Sequence, residues 1–266
     1  MKLGIGSYTY TWAVGVPGQM PVHPMTAMDL CRRAGELGVK VVQLCENVAF
    51  GADELIDLSV HAAQRSLNIE VGTRGLGDAA LAEFMPRLAS FDADFVRLVV
   101  DRDGDEPTPD EVIARLRTWQ KRLPEKIRIA LENHDRFPAR TLVEIIQAAG
   151  PDRVGITLDT VNSFGALEGP EHVVKTLAPY VLSLHVKDFT IRRVPSQMGF
   201  VIEGCPAGEG RLDIPWLLDT IRDAGRDPNA IIELWTPPAD TLEETIAREA
   251  AWAERSVRYL RTLLPN

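Results

Sequence analysis

The sequence predicts one α/β domain of the (β/α)8 barrel class, and three observations carry that expectation. The chain has 266 residues, close to the roughly 250 typical of such a barrel. Eight short β-branched runs alternate with helix-sized segments from one end to the other, an order that gives a parallel sheet. No low-complexity linker or charge block interrupts the pattern, so residues 1–266 are expected to form a single domain. Eight units favour closure into a barrel over an open, doubly wound sheet.

The strands are expected at Leu3–Gly6, Val39–Leu44, Ile69–Thr73, Phe95–Val100, Ile127–Glu132, Val154–Asp159, Val181–Val186 and Ala230–Leu234. Their near-continuous apolar character suits parallel strands covered on both faces. The first helix is expected from about Pro24 to Leu37, with Met28, Cys31, Ala34 and Leu37 on one face and Gly38 as its stop. Another opens at Thr108-Pro109-Asp110-Glu111: the threonine caps, the proline fits the first helical position and the acids suit the dipole. The last, about Leu242 to Leu264, carries a stripe of Leu242, Ile246, Ala250, Ala253, Val257 and Leu260. Two connections are long, Ser7–His23 after strand 1 and Phe189–Leu212 after strand 7. The second contains Pro195, Gly199, Gly204, Pro206, Gly208 and Gly210 and reads as loop. Both follow strands, so both lie on the C-terminal face, where barrel enzymes place their active sites. Loops of this length often act as lids or binding loops.

Composition narrows the partners. Lys and Arg number 29 against 38 Asp and Glu, a net charge of −9. That sign opposes phosphate backbones and anionic membranes, so neither nucleic acid nor a membrane is expected as a partner. A small anionic substrate needs only one or two local arginines and stays open. The N-terminus lacks the apolar core and cleavage site of a secretory signal, and no run approaches the ~18 apolar residues of a membrane span. Cys31, Cys45 and Cys205 are scattered, with no CxxC pair, and read as incidental thiols in a reducing compartment. A cytoplasmic location is the expectation.

The chemistry gathers at the ends of strands 5 to 8. These end in Glu132, Asp159, His185 and Glu233, separated by 27, 26 and 48 residues. The first two separations are about one βα unit each, and the third includes the long loop. A single glutamate after an apolar strand is commonly a salt-bridged rim residue. Four such groups at consecutive strand ends point to one divalent-metal site, because charges are rarely buried unless paired or metal-bound. Oxygen ligands plus one imidazole suit Mn²⁺, Mg²⁺, Co²⁺ or Zn²⁺, and the absence of thiolates argues against structural zinc.

Other rim residues are candidates for substrate contact. Arg74 closes strand 3 and Arg97 sits within strand 4; each suits bidentate binding of a substrate acid group, or else an internal ion pair with Glu46, Glu70 or Asp101. His134 is placed to hydrogen-bond substrate or to orient Glu132. Lys187 and Asp188 are polar contacts or an internal salt bridge. Tyr8, Tyr10 and Trp12 are expected to wall the pocket, or to plug a partner interface.

Leu131-Glu132-Asn133-His134, Leu158-Asp159-Thr160, His185-Val186-Lys187-Asp188, Gly208-Glu209-Gly210 followed by Asp213, and Ile232-Glu233 together resemble the xylose-isomerase-like superfamily of TIM barrels, the sugar phosphate isomerase/epimerase group. The resemblance covers essentially the whole chain. It implies that Glu132, Asp159, His185 and Glu233 hold one catalytic cation, commonly Mn²⁺, Mg²⁺ or Co²⁺. It further implies that Glu132 and Glu233 serve as acid and base on opposite faces of a small keto-sugar, through a metal-stabilised enediolate. The expected activity is therefore an isomerase or epimerase. A lyase is the alternative, decarboxylating a 3-oxo sugar acid or dehydrating a keto sugar acid or cyclitol with the same ligands. Asn162 stands where some relatives carry histidine, which argues against the multi-zinc apurinic endonucleases; it is placed among the substrate contacts. The spacing of His185, Lys187 and Asp188 is closer to the sugar-acid and inositol-type members than to the ketose epimerases, whose arginine after the strand-7 histidine has no good match in Arg192. Pairing into a homo-oligomer is implied by resemblance. A non-catalytic barrel is the remaining reading, and failure to bind metal would favour it.

Overall fold

The computed structural model describes residues 1–102 and 104–264. Over these residues eight parallel strands close into a barrel: β1 (Leu3–Gly6), β2 (Val41–Leu44), β3 (Asn68–Arg74), β4 (Phe95–Val99), β5 (Arg128–Glu132), β6 (Val154–Asp159), β7 (Val181–Val186) and β10 (Asn229–Ile232). Apolar strand residues are buried on both faces, against the barrel interior and against the surrounding helices. Each strand lies within about two residues of its expected position. The last ends at Ile232, so Glu233 sits one residue beyond it.

The helices follow their sequence signals. They are α1 (Thr11–Val14), α2 (Ala27–Leu37), α3 (Ala52–Arg65), α4 (Asp78–Phe91), α5 (Pro109–Arg122), α6 (Ala139–Ala149), α7 (Pro170–Leu177), α8 (Ile214–Asp223) and α9 (Leu242–Leu260). Helix α2 starts at Ala27 rather than Pro24, because Thr26 and Asp29 form a capping box that fixes the first turn. Thr108 and Glu111 form the corresponding box on α5, with Pro109 in the first helical position. Among the described residues no helix is long and apolar enough to cross a membrane.

The segment after β7 departs from its reading as loop. It contains an antiparallel hairpin, β8 (Asp188–Arg193) and β9 (Phe200–Cys205), paired from Asp188↔Cys205 to Arg193↔Phe200. The turn residues Pro195 and Gly199 belong to its tip, and Pro206, Gly208 and Gly210 to the descent after it. The alternation in Phe189-Thr190-Ile191 and Phe200-Val201-Ile202 is the strand signal those residues obscured.

Asp188 closes the base of this hairpin. Its Oδ1 accepts the backbone N–H groups of Phe189 (2.8 Å) and Leu212 (3.1 Å), and its Oδ2 those of Gly208 (2.9 Å) and Gly210 (3.0 Å). Gly210 has no alternative at this point. A Cβ there would lie 2.1 Å from Asp188 Oδ1 and 2.4 Å from the Phe189 carbonyl oxygen.

Candidate active site

Strands β5, β6 and β7 run in neighbouring register, and that register carries Glu132, Asp159 and His185 to one rim. All three are buried, with ligand atoms within 4.8 Å of one another. Glu233 joins them from the end of β10, its Oε1 3.0 Å from His185 Nδ1. Nε2 of the same imidazole faces the Gln43 side-chain oxygen at 2.8 Å. That oxygen can only accept, so Nε2 carries the hydrogen and Nδ1 is the nitrogen left to face the site. Among the described residues Nδ1 is buried without a hydrogen-bond partner. Besides Glu233 it faces Glu132 Oε2 at 3.4 Å and Asp159 Oδ2 at 3.9 Å. Three carboxylates converge on this nitrogen in a buried space, and Lys187 and Arg97 pair with them. The donor set, three carboxylates and one imidazole nitrogen, fits a divalent ion.

The surroundings fix each of these groups. Glu132 takes Arg97 Nε at 2.5 Å and the Asn162 amide at 2.9 Å. Burial pushes its carboxyl upward, but Arg97 and His185 outweigh that and hold it below the ordinary carboxylate value. Asp159 is anchored through its backbone, whose N–H and C=O both pair with the Asn133 amide at 2.8 Å. Its Oδ1 accepts the N–H groups of Val161 and Asn162. Lys187 Nζ lies 2.8 Å from Asp159 Oδ2, 2.9 Å from Glu233 Oε2 and 3.2 Å from Asn162 Oδ1. Burial disfavours its charge, yet Asp159, Glu233 and Glu132 raise its pKa well above the ordinary lysine value. Lys187 is therefore an ammonium, a donor rather than a base.

Both strand-end arginines make the internal ion pairs that were their alternative reading. Arg97 Nη1 meets Glu46 Oε2 at 2.9 Å, and Arg74 Nε meets Glu46 Oε1 at 3.3 Å. The sequence named Glu46 only as a pairing partner, but it organises this side of the rim, also accepting the Tyr8 hydroxyl at 2.9 Å. Burial alone would raise its carboxyl; Arg97, local hydrogen bonds and Arg74 bring it down to about 2.

A cavity of about 470 Å³ opens beside Lys187 and Glu233, walled by Tyr8, Trp12, Ile202 and Trp235 among others. Trp12 is held by a hydrogen bond from its indole N–H to the Thr236 carbonyl (2.9 Å), and Glu249 accepts the Trp12 and Ala13 backbone N–H groups. Of the expected substrate contacts, Trp12 lines this cavity, while Arg74, Arg97, Asn162, Tyr10 and Asp188 do not. Tyr10 is packed in the core with its hydroxyl accepting from Arg33 Nε at 3.0 Å, because the turn into α1 points it inward. Asp188 is spent on the hairpin base. His134 does not touch Glu132; it pairs with Asp135 at 2.7 Å. Together with Arg74 it lines a neighbouring depression of about 520 Å³ that also includes Arg136.

The sequence profile described as "Xylose isomerase-like TIM barrel" matches residues 56–263. The chain is 33% identical over 272 residues to 3-oxo-isoapionate decarboxylase of Pectobacterium atrosepticum, covering 100% of this chain and 97% of that protein. Among solved structures it is similar to D-psicose 3-epimerase with D-tagatose from Clostridium cellulolyticum H10 (TM-score 0.71, 15% identity, 99% of each chain). It is also similar to a xylose isomerase-like TIM barrel protein from Mycobacterium smegmatis in complex with magnesium (TM-score 0.69, 15% identity, 97% of each chain). At these identities the two solved structures speak for the fold alone.

Proposed function

The chain belongs to the xylose isomerase-like TIM barrel family, and from that premise we propose that it is a divalent-metal-dependent lyase that decarboxylates a 3-oxo sugar acid. Glu132, Asp159, His185 and Glu233 would hold the ion; when bound, it supplies the Lewis acidity that draws electrons onto the substrate's ketone oxygen. The observation that carries the reading is the buried His185 Nδ1, without a hydrogen-bond partner among the described residues and ringed by three buried carboxylates. The full-length likeness to a decarboxylase supports the choice of reaction.

The chain's own residues suit that reaction. Decarboxylation needs no base: the substrate's carboxylate leaves as CO₂, and the electron pair of the broken carbon–carbon bond passes into the enediolate. It does need one proton returned to carbon. Lys187 stands protonated beside Glu233 at the cavity mouth and gives that proton. Glu132 is a weak base, because Arg97 neutralises it at 2.5 Å. Tyr8, Trp12 and Trp235 wall the space that would take the sugar and exclude water from it.

A second reading, epimerase or isomerase, is favoured by one feature: two carboxylates rather than one, Glu132 and Glu233, stand beside His185 Nδ1, at 3.4 and 3.0 Å, and a proton exchange at carbon needs both an acid and a base. The two readings separate in one experiment. Mn²⁺-loaded protein is given 3-oxo sugar acids and keto-sugars in D₂O, with CO₂ release and deuterium uptake followed together. CO₂ release with one deuterium in the product, impaired in Lys187→Met, supports the lyase. Deuterium at carbon with every carbon retained supports the epimerase. Metal bound but silence across the panel rejects both substrate classes, and no bound metal removes the premise of either.

A further inference from the structure

Barrel interiors of this class are filled by layers of branched apolar side chains. The layer beneath His185 is instead polar. Gln43, Glu70 and Ser183 are all buried there, at 1%, 3% and 0% exposure. Gln43 and Glu70 are register neighbours on β2 and β3, and Asn229 and Ser183 on β10 and β7, so the four groups meet across the barrel axis. Glu70 Oε2 accepts from Gln43 Nε2 at 2.9 Å and from the Ser183 hydroxyl at 3.3 Å, while its Oε1 accepts from the Asn229 amide at 2.8 Å. Every contact made to Glu70 is therefore a donation, the pattern a carboxylate requires.

We propose that Glu70 is a positioning residue for the metal ligand His185, acting through Gln43 to fix which imidazole nitrogen faces the site. This rests on the reading of His185 as a metal ligand. A Gln side chain can turn its oxygen or its NH₂ toward a neighbour, and the two ends are opposite in polarity. Glu70 accepts only, so it holds the Gln43 NH₂ and leaves the oxygen for His185 Nε2 at 2.8 Å. Turning Gln43 over would set its oxygen against the Glu70 carboxylate and its NH₂ against Nε2–H, two losses at once. The relay thus keeps the hydrogen on Nε2, and in the neutral ring that leaves the lone pair on Nδ1. In the other tautomer Nδ1 carries a hydrogen and cannot bind a cation. The outer end of the relay does not reach the substrate. Glu70 and Asn229 line a cavity of about 400 Å³ at the N-terminal end of the barrel, with Asp92, Asp94 and Arg128, opposite the catalytic rim.

The test is Glu70→Gln, read by the imidazole ¹⁵N shifts of His185 in metal-free protein and by Mn²⁺ titration calorimetry. With the pH raised until the ring is neutral, wild type is expected to show the Nε2–H tautomer. The variant is expected to show a mixture, because either end of Gln43 now finds a partner, and to bind Mn²⁺ about 10- to 100-fold more weakly. Gln43→Met removes the acceptor directly, leaving Glu70 its Ser183 and Asn229 donors, and tests the same step should Glu70→Gln not fold. Asn229→Ala, which leaves the Glu70–Gln43 contact in place, is expected to keep the wild-type tautomer. A folded Glu70→Gln or Gln43→Met protein with wild-type tautomer and Mn²⁺ affinity overturns the relay and leaves the metal site standing. Wild-type protein that binds no Mn²⁺ overturns the ligand reading itself, and the relay with it.

Discussion

The two halves of the barrel mouth handle buried charge in opposite ways. On the side of β2 to β4, Arg97 and Arg74 meet Glu46, and the Tyr8 hydroxyl adds a further donor, so acceptors and donors are matched. On the side of β5 to β10, Asp159 and Glu233 share one ammonium, Lys187, while His185 Nδ1 faces Glu132, Asp159 and Glu233 with no hydrogen-bond partner among the described residues. Glu132 belongs to both halves. A buried acceptor without a donor costs on the order of 1–3 kcal/mol, so a surplus on one side only marks where a cation is wanted. The matched half is closed among its own residues; the unmatched half is the one that could hold a cation.

Four changes break or sharpen that contrast. Asp159→Ala has the largest expected effect. Bound Mn²⁺, measured by elemental analysis, should be lost, and turnover should fall by about 10³-fold or more; full metal occupancy in this variant would move the site elsewhere. Arg97→Met attacks the matched half, leaving Glu46 and Glu132 buried without their cation. It should destabilise the protein by about 3–5 kcal/mol at neutral pH, seen as a lower urea midpoint, and Mn²⁺ should restore more stability to it than to wild type. An unchanged midpoint would mean the pairs stabilise nothing.

The third change compares carboxylates with and without a cationic partner. Glu249 has backbone donors but no arginine, and burial pushes its carboxyl from 4.5 up to about 7. Glu46, between two arginines, lies at about 2. The signs follow from proton counts. Between about pH 4.5 and 7 the native chain keeps a proton on Glu249 that the unfolded chain has released. The stability that this group contributes is full below its ordinary value and lost as pH rises through about 7, about 3 kcal/mol in all. Glu46 acts in reverse, losing its contribution as pH falls from about 4.5 toward 2. Glu249→Gln should flatten the loss between pH 4.5 and 7 in a series of urea melts, and a slope unchanged from wild type would contradict the assignment. The smallest effect is expected from Arg74→Ala. A third of that side chain is exposed, so its pairing with Glu46 should contribute under about 1 kcal/mol to thermal stability.

The barrel was legible because its period is local: an apolar run, a helix, and a polar residue where each strand meets the rim. The same logic brought Glu132, Asp159, His185 and Glu233 into view one strand at a time. What escaped was set across strands. Glu46 is an ordinary acid after β2 until Arg97, 51 residues on, comes to lie beside it. Tyr10 and Trp12 have the same spacing signal, but the turn into α1 sends one ring to the core and the other to the cavity. Gln43 and Glu70 did carry a signal, each a polar residue inside an apolar strand run, Val41-Val42-Gln43-Leu44 and Ile69-Glu70-Val71. That signal says a partner exists inside the barrel without saying which.

The Asp188 clamp has a consequence for how this barrel can vary. Both ends of the segment between Phe189 and Leu212 are tied to the same carboxylate, so the excursion begins and finishes at one point. For a loop whose ends are already joined, doubling its length costs only about 0.6 kcal/mol of closure entropy. The hairpin tip can therefore be trimmed, extended or replaced while the barrel keeps its register, and the wall that Ile202 and its neighbours give the cavity becomes an interchangeable part of the scaffold.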